Sequence, residues 1–165
     1  MTFTSFRRFA GGQGWGVTTG GQISQTADGG RVWHPAGQMG STAFFLSSRD
    51  AWVADLVPGK QLTVRHTADG GATWSALAPV PVGFGDGGMH LSFADAEAGW
   101  MQVLGAEGDT WSDQQVCSTD AAGQTWHPAF DGRLGGRFGG VTTVDAQAAL
   151  AVGAQAPTAG RVTMN

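Results

Sequence analysis

The sequence predicts an all-β chain, a β-propeller segment of about three and a half four-stranded blades. Three observations lead there. A stretch reading TADGGRVW at residues 26–33 returns as TADGGATW at 67–74 and, more loosely, as STDAAGQTW at 118–126. A second element, an apolar run carrying a tryptophan, precedes each copy: GQGWGVT around Trp15, RDAWVADL around Trp52 and EAGWMQVL around Trp100. The tryptophans closing the three copies are 41 and 52 residues apart, which matches one four-stranded blade of about 40–50 residues.

Composition agrees with many turns and few charges. The chain has 165 residues with 28 glycines, seven tryptophans and no tyrosine, and only 13% of its residues are charged. Such a chain is long enough to bury a core and too apolar for disorder. No segment shows a capped 3.6-residue apolar period, so no helix is expected.

The repeat divides the chain into units at about 1–37, 38–80, 81–132 and 133–165, the last incomplete. In the third unit the four strands are expected at 89–93, 100–104, 114–118 and 124–130, each bounded by turn residues. A fourth copy of the tryptophan element, QAALAVG, places Leu150 in the tryptophan position. Residues 161–165, RVTMN, read as the third strand of the fourth unit.

The repeated stretch is a turn between the third and fourth strands, and its residues have mechanical roles. Asp28, Asp69 and Asp120 are expected to accept backbone N–H groups inside the turn, as short acidic side chains do. Gly29, Gly30, Gly70, Gly71 and Gly123 permit positive φ. Trp33, Trp74 and Trp126 then fold over the turn and pack between blades. The third copy has one extra residue between Asp120 and Gly123, which predicts a wider turn. Trp15, Trp52, Trp100 and the single cysteine, Cys117, are expected in the core.

These motifs resemble the Asp-box (BNR) repeat family. With the preceding tryptophan element, the chain is similar to bacterial propellers related to sialidases and to the photosystem II assembly-factor group. The resemblance runs from about residue 3 to 163. It implies a propeller whose Asp-box turns lie away from any catalytic face, and it leaves function open, because the same box serves enzymes, receptors and assembly factors.

Several chemistries are disfavoured. A retaining sialidase needs a tyrosine nucleophile, and this chain has none. Such enzymes also clamp a carboxylate with three arginines, whereas Arg31 falls in a repeat turn and Arg49 in a first-to-second turn. His34 and His127 each follow a repeat tryptophan and precede a proline, and His66 and His90 show no ligand spacing, so no metal site is expected. GFGDGG at 83–88 precedes no helix and reads as an inter-blade loop rather than a phosphate cradle. No cofactor is expected. A net charge of −4 gives no footprint for nucleic acid.

The lone cysteine allows no intrachain disulfide. The sequence has no signal-like leader and no apolar run of membrane-spanning length, so no membrane insertion is expected. These features leave the compartment unassigned: a cytoplasmic location is the expectation for the chain as written, and an extracytoplasmic one if it belongs to a longer protein.

Function is expected on the face holding the second-to-third loops and the inter-blade connections, because loops on a rigid scaffold carry binding. The longest such loop is 105–114, GAEGDTWSDQ, with Glu107, Asp109, Trp111 and Asp113. Trp111 fits neither tryptophan position of the repeat and is the candidate contact for a sugar, peptide or basic partner. Asp86, Asp131, Arg133 and Arg137 are expected beside it from inter-blade loops. The reading is a non-catalytic binding or assembly module for a protein, peptide or glycan, with a subunit or fragment of a sialidase-like glycoside hydrolase as the alternative. An open arc exposes apolar inter-blade surface and a strand edge. The chain is therefore expected either to close a ring as a homodimer or to be part of a longer protein.

Overall fold

The computed structural model describes residues 1–55, 62–80, 82, 88–107, 111–135, 138–145, 148–153 and 160–163; for 106, 107, 111, 112, 130–135, 138–144, 149–153 and 160–163 only the backbone is described. The chain is all-β, in four antiparallel sheets that follow one another in sequence. The first contains β1 (Phe3–Arg8), β2 (Gly14–Thr18), β3 (Gln22–Thr26) and β4 (His34–Met39). The second contains β5 (Thr42–Phe45), β6 (Ala51–Asp55), β7 (Thr63–Thr67) and β8 (Ser75–Ala76). The third contains β9 (Gly88–Phe93), β10 (Gly99–Glu107), β11 (Trp111–Thr119) and β12 (His127–Gly135). The fourth, three-stranded, contains β13 (Phe138–Asp145), β14 (Ala148–Gly153) and β15 (Gly160–Thr163). One short 3-10 turn, Ala10–Gly12, is the single helical element among the described residues.

The first three sheets pack one on the next, and the second contributes apolar side chains to the core on each of its two sides. Trp15, Val17 and Ile23 of the first sheet share a core with Phe45, Ala51 and Val53 of the second. Trp52, Ala54, Leu62 and Val64 of the second sheet join Leu91, Phe93, Met101, Val103, Cys117 and Trp126 of the third. The three repeat-element tryptophans, Trp15, Trp52 and Trp100, are at most 1% exposed. Two of them donate across a junction, Trp15 Nε1–H to Ser47 O at 3.1 Å and Trp52 Nε1–H to Ala122 O at 2.8 Å.

Register corrects two readings of the repeat. The threonine that opens each turn pairs with the residue before the tryptophan: Thr26 with Gly14, Thr67 with Ala51, and Thr119 with Gly99. The third turn therefore starts at Thr119, not Ser118, and from Thr119 to Trp126 it is as long as its sisters. No extra residue widens it. Ala121 occupies the position of Asp28 and Asp69, and Asp120 lies one residue earlier, exposed. In the fourth sheet Thr163 pairs with Ala148 by the same rule, so Ala149 rather than Leu150 stands in the tryptophan position.

The third blade is also taller than expected. The presumed loop 105–114 is mostly strand: β10 runs to Glu107 and β11 begins at Trp111. Residues 131–135, expected in an inter-blade loop, continue β12. Three neighbouring strands of nine residues satisfy each other's backbone groups, and this overrides the turn-like composition of the segment.

Candidate functional site

The two ends of the blades differ in construction. At one end the repeat turns are tied to the first-to-second turns: the amides of Gly29, Gly70 and Ala122 donate to the carbonyls of Gly12, Arg49 and Glu97 at 2.8, 3.0 and 2.8 Å. Inside the first turn Thr26 Oγ1 donates to Asp28 Oδ1 at 2.8 Å and accepts Gly30 N–H at 2.9 Å. Asp28 Oδ1 also accepts the amides of Arg31 and Val32 at 2.9 and 3.0 Å. These donors, Val32 foremost and then the Thr26 hydroxyl, hold the Asp28 carboxyl below its ordinary range. In the second turn the Thr73 hydroxyl and amide, with Thr67, bring Asp69 down to about 2. Both groups stay ionised at neutral pH, with oxygens committed to the turn, and offer no proton for acid catalysis.

The third turn keeps the threonine and loses the acid. Thr119 Oγ1 accepts Gly123 N–H at 2.9 Å and Ala121 N–H at 3.2 Å. Ala122 takes φ 55°, where the sister turns have glycine at φ 80° and 76°.

Between the first two blades this end carries a cleft of about 630 Å³, lined by Gln13, Gln25, His34, Arg49 and Asp69 among others. Its lining is polar and apolar in about equal parts, and Trp15, which also lines it, is 1% exposed. Arg49 is committed in part to Ala68 O, at 3.4 Å from Nε. Among the described residues no group of three His, Cys, Asp or Glu side chains is arranged to hold a metal ion.

The opposite end holds the second-to-third turns and the inter-blade connections. Gly40 N–H donates to Gly21 O and Ser41 N–H to Ala54 O, both at 2.9 Å, so the connection between blades one and two is stitched to a hairpin of each. Ser41 Oγ donates to Asp55 Oδ1 at 2.7 Å beside a smaller cleft of about 340 Å³. Sequence reasoning passed over Ser41 and Asp55; their one signal is that both flank a strand end on the loop side.

The tall hairpin of the third blade projects from this same end. Its strands are four residues longer than β6, which extends the ribbon by roughly 13 Å at about 3.3 Å per residue. Register brings several candidate positions together on it. Asp113 lies opposite Arg133, Gln115 opposite Asp131, and Trp111 opposite Gly135; Glu107 pairs with Ser112 across a bulge. Asp113 is half-buried. Asp86, Asp109 and Arg137 lie outside the described residues, as do the side chains of Glu107, Trp111, Asp131 and Arg133. Just below the ribbon, Gln102 Nε2 donates to Gln114 Oε1 at 2.6 Å, with both side chains fully buried.

No protein-family model matches the sequence. No curated protein matches it. Among solved structures the chain is similar to YCF48 from Cyanidioschyzon merolae, with TM-score 0.62 and 17% identity over 98% of this chain and 50% of that one. It is also similar to YCF48 bound to D1 peptide, with TM-score 0.58 and 17% identity over 97% of this chain and 49% of that one. At this identity the likeness is one of fold: the three four-stranded sheets match about half of a YCF48 propeller. The chain spans about half the length of the solved structures it matches.

Proposed function

We propose that this chain is a non-catalytic β-propeller binding or assembly module, which holds a protein, peptide or glycan on the end that carries the tall hairpin and the inter-blade connections. The observation that carries the reading is its likeness in fold, over 97% of the chain, to a YCF48 structure bound to a peptide. The height of the third blade supports it, since a ribbon standing above its neighbours offers both side-chain contact and backbone groups to an extended ligand. In this reading Trp111 supplies the aromatic contact. Glu107, Asp109, Asp113, Asp86 and Asp131 meet basic groups, and Arg133 and Arg137 meet a carboxylate. The turns at the other end favour binding over hydrolysis, because Asp28 and Asp69 are acceptors within their own loops.

The test is a random-peptide phage library and a glycan array, each screened against the wild-type chain and Trp111→Ala. Ligands enriched on the wild type should bind Trp111→Ala at least tenfold more weakly, with unchanged near-ultraviolet circular dichroism. Equal binding by the two proteins would remove Trp111 from the site. Release of fluorophore from an aryl sialoside by the wild type, abolished by substituting a carboxylate on the ribbon, would replace the binding reading with the glycosidase one.

A further inference from the structure

The cleft beside Ser41 and Asp55 opens between the first two blades, on the end that carries the tall hairpin. Thr4, Thr18 and Thr19 of the first blade line one side, and Met39, Ser41 and Asp55 line the other. At about 340 Å³ it is the size of a small-ligand site. Of the described residues that line it, only Asp55 is charged.

Most of the hydrogen-bond donors around this cleft are spent on the protein itself. The amides of Thr19, Gly21, Gly40 and Ser41 donate to Thr2 O, Thr18 O, Gly21 O and Ala54 O, the first at 3.1 Å and the others at 2.9 Å. Thr4 Oγ1 donates to Val17 O at 3.2 Å, and Ser41 Oγ to Asp55 Oδ1 at 2.7 Å. What stays available is acceptor capacity: hydroxyl lone pairs, and Asp55 Oδ2. Among the described residues the Asp55 carboxylate accepts a side-chain hydrogen bond only from Ser41. A cleft with spare acceptors and one negative charge fits a cationic donor.

We propose that this cleft is a lysine subsite of the binding end, which takes the side-chain ammonium of a peptide on Asp55. The inference rests on the proposed function, in its peptide form. Lysine is favoured over arginine by the state of the carboxylate. With Oδ1 held by Ser41, one oxygen remains for a ligand, which suits the point charge of an ammonium. A guanidinium binds best through two parallel bonds and would have to displace the Ser41 hydroxyl. Met39, 62% exposed at the rim, offers an apolar flank to the methylene stem of the lysine. Asp55 is thus the counter-ion, and Ser41 is the residue that sets specificity.

The test is amide NMR on the isotope-labelled 165-residue chain, titrated with a capped glycine-lysine-glycine tripeptide. The amides of Gly20, Gly21, Gly40 and Ser41 should shift along a saturating curve. The same peptide acetylated on the lysine nitrogen should leave them in place, a comparison that needs no variant to fold. The arginine peptide should bind about threefold more weakly, and Asp55→Asn should weaken the lysine peptide by about the same factor, as loss of one partly exposed ion pair does. Ser41→Ala frees Oδ1 and should erase the preference by raising the affinity for arginine. A wild type with no shift, or with equal shifts from lysine and acetyl-lysine or from lysine and arginine, overturns the inference. So does a lysine response untouched by Asp55→Asn. A response confined to Lys60→Ala would mean that this chain's own lysine fills the cleft, which overturns it too. Library-selected peptides indifferent to Asp55→Asn would sink the subsite and spare the proposed function; a lysine response at the cleft of a chain that selects no peptide would do the reverse.

Discussion

The indole of Trp52 lies 3.8 Å from the ring of Phe93, with the planes 11° apart, while its Nε1–H reaches Ala122 O at 2.8 Å. His66 also stacks on this indole, with ring centroids 4.4 Å apart. One side chain thus joins the second blade to the core and to the turn of the third. Phe93→Ala should cost about 3–5 kcal/mol, as large-to-small aromatic changes in cores do. A double-mutant cycle with Trp52→Leu should return a coupling of about 0.5–1.5 kcal/mol, read from urea denaturation.

The third repeat turn is open to repair. Ala122→Gly removes a left-handed alanine and should stabilise by about 1 kcal/mol. Ala121→Asp should add to this by restoring the acceptor that Asp28 and Asp69 provide in the sister turns. Asp120→Ala should leave the melting temperature unchanged. A fall in stability on Asp120→Ala would return that residue to the turn.

Gly71 and Gly37 both have positive φ, 81° and 71°, but only Gly71 faces another blade. A Cβ on Gly71 would meet Gln25 Nε2 at 2.7 Å and Trp15 at 2.9 Å, whereas one on Gly37 would meet nothing within 4 Å. Gly37→Ala should therefore cost about 1 kcal/mol, the backbone contribution alone. Gly71→Ala should cost clearly more, with the excess measuring the blade junction.

Stability should fall in two steps on acidification. Burial lowers the pKa of His66, against a smaller opposing effect of Asp50, and burial lowers that of His90. A folded pKa below the unfolded one means the unfolded chain binds more protons, so this stability is present above pH about 6.5 and is lost below it. The double variant His66→Gln with His90→Gln should flatten the melting-temperature profile between neutral pH and about 5. The second step belongs to Asp28, Asp69 and Asp95, all held low by hydrogen bonds in turns. Their contribution is complete above the unfolded value of 3.8 and for Asp69 is lost as pH falls toward about 2. Asp69→Asn should weaken that acid limb, as thermal melts across the range would show.

Much of the architecture was legible in the residues. The spacing of Trp33, Trp74 and Trp126, and the apolar runs around Trp15, Trp52 and Trp100, contain the strand count and the core, because a side-chain period of two and a turn with positive φ are local demands on sequence. Asp28 and Asp69 could be assigned to turns for the same reason: their partners lie within four residues.

What the tertiary structure decided is register and height. A string comparison aligned Ser118 with Thr26 and Leu150 with the tryptophans; cross-strand pairing put Thr119 and Ala149 there instead. Pairing partners lie on other strands, and no local pattern encodes a shift of one residue when alanines and small polar residues fill the segment. The ribbon at Glu107, Trp111 and Arg133 was hidden for a related reason. Glycine, aspartate and serine there favour turns on their own, and only three strands extended side by side make the strand the better home for their backbone groups.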